Sequence, residues 1–412
     1  MPTYNHTPLF CQDIFLSNLS LPGRGPLIWL ALAYLLYFGQ LGVLTPYLAM
    51  FLDGRGLTSV EIGQLLGLIT LTRILGPNLW ANLADRSGKC LRILQLGALL
   101  ALVSFFVIFF ADGFWGLTLC FGLIMMFWTA IMPQMEVITL NSVGGDAHRY
   151  SRIRLWGSMG FILLTISAGR LIDWFGTEVL LAICVSLLAA LLLVSSRLRE
   201  PQQVPDDTPH TGSIWSKINS PVFLGFILAL CLLQVGFGPY NSFFTLYMKD
   251  LGYSGLQTGL LLSLGVVAEI LIFLKAGRLI QRFGIKQMLL VSLVLTVIRW
   301  WVLARFAHFP GILILSQCIH AASFGLTHAT AIQFIHRYFG RRFQSRGQAL
   351  YVSLAGGLGG AIGNYAAGLL WNQGQGAEQT FIAAAMVVAV ALLVIVLIPA
   401  RKLQCEEIPR PV

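Results

Sequence analysis

Long apolar stretches separated by short polar segments dominate the pattern of this chain. Twelve such runs can be recognised, and each approaches or exceeds 18 residues. They lie at about 27–52, 60–84, 92–111, 115–140, 154–172, 178–196, 221–248, 257–276, 287–306, 310–336, 347–371 and 378–399. None alternates with period 2, and an open strand could not satisfy its backbone hydrogen bonds in lipid. The pattern therefore predicts twelve membrane-spanning α-helices.

The longest polar segment between runs, residues 197–220, divides them into two groups of six. It is rich in Pro, Asp and Ser, which is typical of a loose linker. We therefore expect an N-terminal six-helix bundle at 27–196 and a C-terminal six-helix bundle at 221–399. Residues 1–26 lack the basic region and the cleavage site of a signal peptide. They are expected to form a cytoplasmic tail, as are residues 400–412.

Composition excludes an ordinary water-soluble enzyme. Of the 412 residues, 57% are hydrophobic and only 11% are charged, whereas a soluble domain carries about 25% charge. The seven cysteines are scattered singly and mostly inside apolar runs, so they form neither a disulfide framework nor a metal set. The predicted fold class is all-α and integral to the membrane.

The basic residues are distributed unevenly between the two sides. The chain has 27 Lys and Arg against 17 Asp and Glu, a net charge of +10. With a cytoplasmic N-terminus, 21 cations fall on cytoplasmic segments, and the outer side holds four, Arg55, Arg170, Lys249 and Arg305. The positive-inside rule then predicts that both termini are cytoplasmic. We expect a multi-pass protein of a plasma membrane, such as the bacterial inner membrane, with lipid and no nucleic acid as its partner.

The chain also matches itself at an offset of 196 residues. Gly56 falls on Gly252 and Gly63 on Gly259, while the segment ANLADRSGK falls on GRLIQRFGIK. Both segments lie between the second and third helix of their half. Two parallel, pseudosymmetric six-helix bundles with a site between them near the midplane are a transporter architecture, which needs no second copy to form a cavity. We therefore expect a monomer.

These two segments resemble the G-x-x-x-D-R-x-G-R/K motif of the major facilitator superfamily. The matching residues are Asp85, Arg86, Gly88 and Lys89 in the first copy and Gly277, Arg282 and Gly284 in the second. Ala81 stands where the motif begins with Gly, and Gln281 replaces the acid in the second copy. The motif implies conformational gating, because glycine permits a tight turn and close helix approach. Its Asp can pair across the two halves in only one state.

Several ionisable residues lie deep inside the apolar runs, where each costs about 2.5 to 3.5 kcal/mol on insertion scales. At 1.5 Å per residue, Glu269, Arg299 and His320 lie about 15 to 18 Å into their runs, near the midplane. Arg73 is comparably deep, and Glu136 lies nearer the cytoplasmic side. For Glu269 and Arg299 function is favoured, because a purely structural pair at this depth is often no better than apolar packing.

The other buried charges have structural alternatives. Arg154 begins the fifth run across a short loop from Glu136, so the two side chains could meet and face a common cavity with the C-terminal charges. Arg154 could instead be a topology anchor at the interface. Arg73 and Glu136 could form a structural pair, and His320 could be a satisfied core histidine.

Four segments, LSLGVVAEILIF, VIRWWVLAR, SQCIHAASFGLTHATAIQFIHRYF and RIRLWGSMGF, resemble the lactose-permease-like branch of the superfamily. Within it they are most similar to the 3-phenylpropionic acid transporter group, over about residues 27–400. The resemblance implies that proton coupling rests on Glu269, His320 or Glu136. Ser323 departs from the permease pattern, because it stands where that pattern has a proton-carrying Glu, so sugar specificity is not carried over.

The sequence thus predicts a proton-coupled symporter that imports a small organic solute by alternating access. Three guanidinium groups can receive a carboxylate bidentately, those of Arg299, Arg154 and Arg73. Together with 12% aromatic residues, they favour an aromatic carboxylate such as 3-phenylpropionate. A sugar or nucleoside symporter, a drug/proton antiporter and a membrane sensor remain alternatives. No clustered acid/base or metal-ligand spacing indicates an enzyme, a cofactor or a metal.

Overall fold

The structure, a computed structural model, describes residues 24–144, 146–200 and 215–404. The side chains of 24–26, 73, 85, 147, 216, 341 and 342 lie outside this description, as do most of the expected tails and linker. Twelve membrane helices are α1 Arg24–Gly54, α2 Ser59–Ser87, α3 Cys90–Ile108, α4 Gly113–Ser142, α5 Ala147–Phe175, α6 Val179–Ser195, α7 Pro221–Asp250, α8 Gly255–Phe283, α9 Ile285–Phe306, α10 Pro310–Gly340, α11 341–371 and α12 Ala377–Leu397.

The predicted all-helical membrane fold is confirmed. Among the described residues, ten helices are long and apolar enough to cross a membrane. The other two are α6, an apolar helix of 17 residues, and α11, which contains a π-helical segment at Val352–Gly359. Several helices extend beyond the predicted apolar runs. For example, α5 begins at Ala147 and α8 ends at Phe283, because amphipathic end turns remain helical where the polar side chains reach water.

The repeat is visible in how the second helix of each half begins. Thr58 and Ser254, 196 residues apart, each cap a helix by accepting a hydrogen bond from the backbone N–H three residues on. The side chains of Glu61 and Gln257 bond back to the cap residues and complete two capping boxes. The two helices that follow are both 29 residues long. The same local chemistry therefore sets the same helix in both halves.

Glycines end these elements at matching positions. Gly56 and Gly252 have φ values of 81° and 83°, and Gly88 and Gly284 have 65° and 84°. These values lie in the left-handed region, which glycine adopts without steric strain. The turns on both sides of α2 and of α8 therefore require glycine, which explains the spacing seen in the sequence.

The two halves meet at the end of the molecule where α1, α5, α7 and α11 finish, here called the closed end. There α2 packs on α11 with Gly63 against Gly368, and α8 packs on α5 with Gly259 against Thr165. Small residues let these backbones approach closely. The two seams involve equivalent helices, as two-fold pseudosymmetry requires.

Hydrogen bonds join the helix starts across both seams. On one seam the Asp173 carboxylate accepts from the backbone N–H of Gly255 at 2.6 Å and of Leu256 at 3.0 Å, at the start of α8. On the other, Gln373 Oε1 accepts from the N–H of Ser59 at 2.7 Å, at the start of α2. Because Ser59 and Gly255 are 196 residues apart, the two contacts are near-equivalents. One uses a charged group and the other a neutral amide.

Candidate functional site

A chain of polar contacts crosses three helices in the C-terminal half. Glu269 Oε1 of α8 lies 2.7 Å from His320 Nε2 of α10. His320 Nδ1 in turn lies 2.8 Å from Nη1 of Arg299 on α9. Glu269 and His320 have 16% and 13% of their side-chain surface exposed, whereas Arg299 has none. The three residues singled out by depth in the sequence are therefore brought together, with histidine in the middle.

Arg299 is held by a mixture of hydrogen bonds and aromatic faces. Its Nη1 also donates to Ser323 Oγ at 3.3 Å. Its guanidinium carbon lies 4.3 Å from the ring centre of Tyr240 and 4.5 Å from that of Trp300, which is cation–π geometry. Its Nε and Nη2 atoms have no hydrogen-bond partner in the part of the chain that the structure describes. A fully buried guanidinium with two unused donors is a costly arrangement, so this group is poised to accept an anion.

A π-helical segment, Ala321–Leu326, follows His320 directly. It contains Ser323 and Phe324, and π-helical turns often occur at functional sites. The Phe324 ring stacks on His320 at 5.5 Å with an interplanar angle of 6°, and on His328 at 6.2 Å. The segment thus presents His320 and Ser323 to Arg299 while Phe324 covers the histidine.

In the N-terminal half, Arg154 of α5 lies over the Phe38 ring at 4.2 Å and the Tyr34 ring at 5.7 Å, both on α1. No carboxylate of the described residues lies within 4.0 Å of its guanidinium nitrogens. Glu136 accepts instead a 3.5 Å hydrogen bond from Tyr150 OH. The meeting of Glu136 and Arg154 considered from the sequence is therefore absent as an ion pair. Arg154 is half-buried and lies against aromatic rings.

The Asp146 side chain caps the N-terminus of α5. The Asp146 carboxylate accepts from the backbone N–H of His148 at 2.9 Å and of Arg149 at 3.1 Å. These amides, with Arg149 the larger contributor, hold the pKa of Asp146 below its usual range. At the opposite end of the molecule, Nε and Nη2 of Arg55 donate to the two carboxylate oxygens of Glu178. This bidentate bond raises the pKa of Arg55 and ties the α1–α2 turn to the start of α6.

A cavity of about 230 Å³ lies between the halves. Its lining includes Thr45 and Thr70 from one half and Gln234, Asn241 and Phe324 from the other. The four neutral polar residues among them were not predicted from the sequence, because only charged positions distinguish themselves strongly inside apolar runs. Amides and hydroxyls inside apolar helices are a weaker signal that would have found them.

One cavity residue also joins the halves. The Asn364 amide donates to Thr70 Oγ1 at 3.1 Å and its carbonyl accepts from Ser242 Oγ at 2.9 Å. Because Asn364 uses both ends of its amide in this way, it fixes one wall of the cavity. It also links α11 to α2 deeper than the closed end.

The gating motif is only partly described, because the side chain of Asp85 lies outside the description. The side chain of Arg73, predicted as a substrate-binding residue, lies outside it as well. Arg86 is exposed in the last turn of α2, and Lys89 is exposed just before α3. The tight turn expected of glycine is present at Gly88 and Gly284. The close approach expected of glycine is absent at Gly277, where a Cβ would meet nothing within 4 Å. The Arg282 guanidinium carbon lies 5.2 Å from the ring centre of the neighbouring Phe283. The gating role of these residues stays a prediction.

Within residues 24–144, 146–200 and 215–404, no group of three or more His, Cys, Asp or Glu side chains is placed to hold a metal ion. Two pseudosymmetric bundles of membrane helices that enclose a polar cavity and buried charges are the construction of a membrane carrier. The chain belongs to the MFS_1 like family, whose sequence profile matches residues 27–383. It is therefore a secondary transporter of the major facilitator type and not an enzyme, and the resemblance read from the sequence is confirmed.

Relatives cover most of the chain. It is 31% identical to a probable 3-phenylpropionic acid transporter of Escherichia coli (strain K12), over 84% of this chain and 91% of the relative. It is 29% identical to a maltose permease of Geobacillus stearothermophilus, over 88% and 93%. Solved structures agree in fold. A variant of the nucleoside transporter NupG superposes with a TM-score of 0.81 at 16% identity, covering 90% of this chain and 98% of that one.

Proposed function

We propose that this transporter is a proton-coupled symporter that imports a small aromatic carboxylate, such as 3-phenylpropionate, by alternating access. The observation that carries the proposal is the continuous contact from Glu269 through His320 to Arg299. It combines two groups that can take up a proton with a buried cation that has unused donors. Such a set can link protonation to anion binding.

Proton coupling has a clear chemical basis in these residues. The carboxylate and the imidazole both change charge by accepting one proton. Ser323 cannot carry a proton in the place that the permease pattern gives to a glutamate, so we assign the proton to the pair of Glu269 and His320. Glu136, bonded to Tyr150, is the second candidate, in the other half.

Arg154 is our first choice for the substrate carboxylate. Its guanidinium has no carboxylate partner among the described residues, and it lies against Phe38, whose ring can extend a stacking wall for an aromatic cargo. Arg299 would bind the anion in a second state, and Arg73 remains a candidate by depth alone.

Arg154 and Glu269 belong to facing helices. Ser263 of α8 donates to the carbonyl of Ile162 on α5 at 3.4 Å. Both residues lie on the side of this contact that points away from the closed end. At 1.5 Å per residue, Arg154 is about 12 Å from the contact along α5, and Glu269 is about 9 Å from it along α8. This similar depth supports a common binding space between α5 and α8.

A second candidate function has its own support. The cavity lined by Gln234, Asn241 and the two threonines offers amide and hydroxyl groups suited to a neutral, hydroxyl-rich solute. A relative that is 26% identical is named a putative nucleoside transporter, and another is named a maltose permease. The alternative is therefore a proton symporter for a sugar or nucleoside.

Uptake into proteoliposomes tests the proposal. Radiolabelled 3-phenylpropionate should accumulate when an inward proton gradient is imposed, and unlabelled maltose or uridine should not compete. Accumulation that ignores the proton gradient would remove the coupling. Competition by uridine or maltose, but not by aromatic acids, would favour the neutral-solute alternative.

The orientation is also proposed. The protein lies in an inner membrane with both termini in the cytoplasm, because the cations cluster on that side. It is a monomer, because its two pseudosymmetric halves form a cavity without a second copy. The closed end then faces outward, and the binding space opens inward in this state. In intact cells, a membrane-impermeant maleimide should react with a single cysteine that replaces Asp112 and should not react with one that replaces Arg86. Reaction of Arg86→Cys from outside would reverse the orientation.

A further inference from the structure

The contact between Arg299 and His320 joins a group that only donates hydrogen bonds to one that can change from acceptor to donor. Arg299 Nη1 lies 2.8 Å from His320 Nδ1. A guanidinium has no lone pair to offer, so Nδ1 must be the acceptor. The neutral imidazole therefore carries its hydrogen on Nε2, and donates it to Glu269 Oε1 at 2.7 Å. The two neighbours together select one tautomer of His320.

Protonation of the two titratable members has different consequences. A proton on the Glu269 carboxyl leaves the chain intact, because a carboxyl oxygen still accepts from His320 Nε2. A proton on His320 gives hydrogens to both ring nitrogens. The Nδ1–H then faces the Nη1–H of Arg299, and two positive groups lie in contact. A protonated His320 and the bond from Arg299 to His320 therefore exclude each other.

We propose that His320 is a switch that releases Arg299 to bind the carboxylate of the cargo only after a proton has been taken up. One proton enters at Nδ1, and the hydrogen bond from Arg299 Nη1 breaks. The imidazolium keeps its Nε2–H bond to the Glu269 carboxylate as an ion pair. Nη1 keeps its bond to Ser323, and the hydrogen that His320 had accepted becomes available beside those of Nε and Nη2, which lack partners among the described residues. The guanidinium can then bind a carboxylate bidentately. The identity of the cargo rests on the proposed function.

The charged groups around His320 support this order. From the packed helices, Glu269 of α8, Arg299 of α9 and Tyr240 of α7 face it, the last with ring centres 5.2 Å apart. Farther along α10, beyond Phe324, His328 Nδ1 lies 3.2 Å from Tyr351 OH of α11. Glu269 is thus the carboxylate that stabilises an imidazolium at His320, and Arg299 is the group that an imidazolium would repel.

The switch lies next to the space where cargo would bind. Phe324 lines the central cavity and stacks on His320. Tyr240, whose ring lies under the guanidinium of Arg299, precedes the cavity residue Asn241 in the chain. Arg299 is thus linked to the cavity lining through His320 and Phe324. In this proposal, the released guanidinium moves past these two side chains to reach a carboxylate in the cavity.

The first test is made on the wild-type protein without cargo, and a variant serves only to assign the signals. Nuclear magnetic resonance of protein labelled with ¹⁵N-histidine reports which ring nitrogen carries hydrogen, and loss of one signal set in His320→Gln assigns it. We expect the Nε2–H tautomer while His320 is neutral, and loss of the Arg299 contact when both nitrogens become protonated. A hydrogen on Nδ1 in the neutral ring, or an imidazolium that keeps the Arg299 contact, would overturn the inference.

The second test measures binding of 3-phenylpropionate to purified protein at several pH values. If binding of one anion requires uptake of one proton, wild-type affinity rises about tenfold for each unit by which the pH falls. This dependence holds over the pH range in which His320 of the protein without cargo is neutral. His320→Gln keeps an acceptor for Arg299 but takes no proton, so its affinity should be low and independent of pH. The matched control is His336→Gln, the same change at an exposed position of the same helix, which should keep the wild-type dependence.

The two proposals can fail separately. If 3-phenylpropionate does not bind at any pH, the proposed cargo is wrong, while the tautomer of the unliganded protein still decides the switch. If His320→Gln keeps the full pH dependence, the switch is wrong, while proton-coupled uptake can still rest on Glu269 or Glu136. If His320→Gln does not fold, single Gln variants of the other six histidines assign the wild-type spectrum by elimination, and that spectrum then decides.

Discussion

The groups around the Arg299 guanidinium satisfy only part of its capacity to donate hydrogen bonds. Its Nη1 donates hydrogen bonds to His320 and Ser323, and its plane lies over two aromatic rings. Its Nε and Nη2 have no partner among the described residues. At residue scale, Glu269 is the nearby carboxylate, reached only through the histidine. The carboxylate and the guanidinium are therefore connected through His320 rather than by direct contact.

Glu269→Gln should separate exchange from accumulation. The amide retains the size of the side chain and an acceptor oxygen for His320, but it neither takes up a proton nor stabilises an imidazolium. We expect exchange of labelled for unlabelled 3-phenylpropionate across proteoliposomes to persist and accumulation against a gradient to be lost. Glu378→Gln is the matched control, because Glu378 forms an exposed ion pair with Arg305. Accumulation at the wild-type level in Glu269→Gln would refute the role of Glu269.

Arg154→Lys should weaken cargo binding. Lysine keeps the charge but loses the planar fork and the stacking on Phe38. Loss of one charge-assisted hydrogen bond is worth about 1.5 to 3 kcal/mol, so the KM for uptake should rise roughly tenfold or more. Arg152→Lys, at an exposed position of the same helix, should leave it unchanged. Equal KM values in the two variants would exclude Arg154 from the binding site.

At the scale of elements, the closed end is formed by helix starts that are capped from the opposite half. The start of α8 is bonded by Asp173, and the start of α2 by Gln373. Gln373 and its neighbour Asn372 have φ values of 52° and 46°, an uncommon conformation for residues other than glycine. Lys249 also bonds to Asp53 across the halves at 3.1 Å. These contacts must separate for the closed end to open.

Asp173→Asn should shift the population toward the state open at this end, because an amide is a weaker partner for the two N–H groups of α8 than a carboxylate. The shift is measured by the rate at which a cysteine replacing Thr45, a cavity residue, is alkylated in an otherwise cysteine-free protein. We expect an increase of about tenfold. Asp112→Asn is the control, since the Asp112 side chain is 92% exposed at the same end. An unchanged rate in Asp173→Asn would mean that this contact does not hold the seam.

Gly63→Val should prevent closure of the α2–α11 seam. A Cβ at Gly63 would lie 2.6 Å from the Cα of Gly368, and backbone cannot move aside as a flexible side chain does. We expect transport to be lost while the same Thr45→Cys reporter becomes more reactive. Gly122→Val is matched, because nothing lies within 4 Å of a Cβ at Gly122. Loss of transport in both variants would indicate general damage to folding.

At the scale of the whole molecule, one proton and one carboxylate anion would cross together and carry no net charge. A pH gradient should therefore drive accumulation of 3-phenylpropionate, whereas a potassium-diffusion potential with equal pH on both sides should not. Proteoliposomes loaded with potassium and treated with valinomycin make this comparison directly. Accumulation driven by the potential alone would require a second proton or another cation.

Much of this molecule could be predicted from its sequence, because lipid forces each apolar run to become a helix and because the 196-residue repeat relates the two halves. The depth of Glu269, Arg299 and His320 followed from residue counting alone. Their order did not, because periodicity cannot show that His320 would separate Glu269 from Arg299 or that a π-helical turn would follow it. The absence of a Glu136–Arg154 ion pair was equally hidden, since Tyr150 takes that place only in three dimensions.

The chain of Glu269, His320 and Arg299 is confined to α8, α9 and α10, so all of it lies in one half. If the proposed roles hold, evolution could exchange the cargo by altering the other half, around Arg154 and Phe38, while the proposed proton-coupling residues stayed unchanged. Relatives named for an aromatic acid, a disaccharide and a nucleoside are the diversity that such modularity would produce. Chimaeras that pair this C-terminal bundle with a foreign N-terminal bundle would be a natural route to carriers with new selectivity.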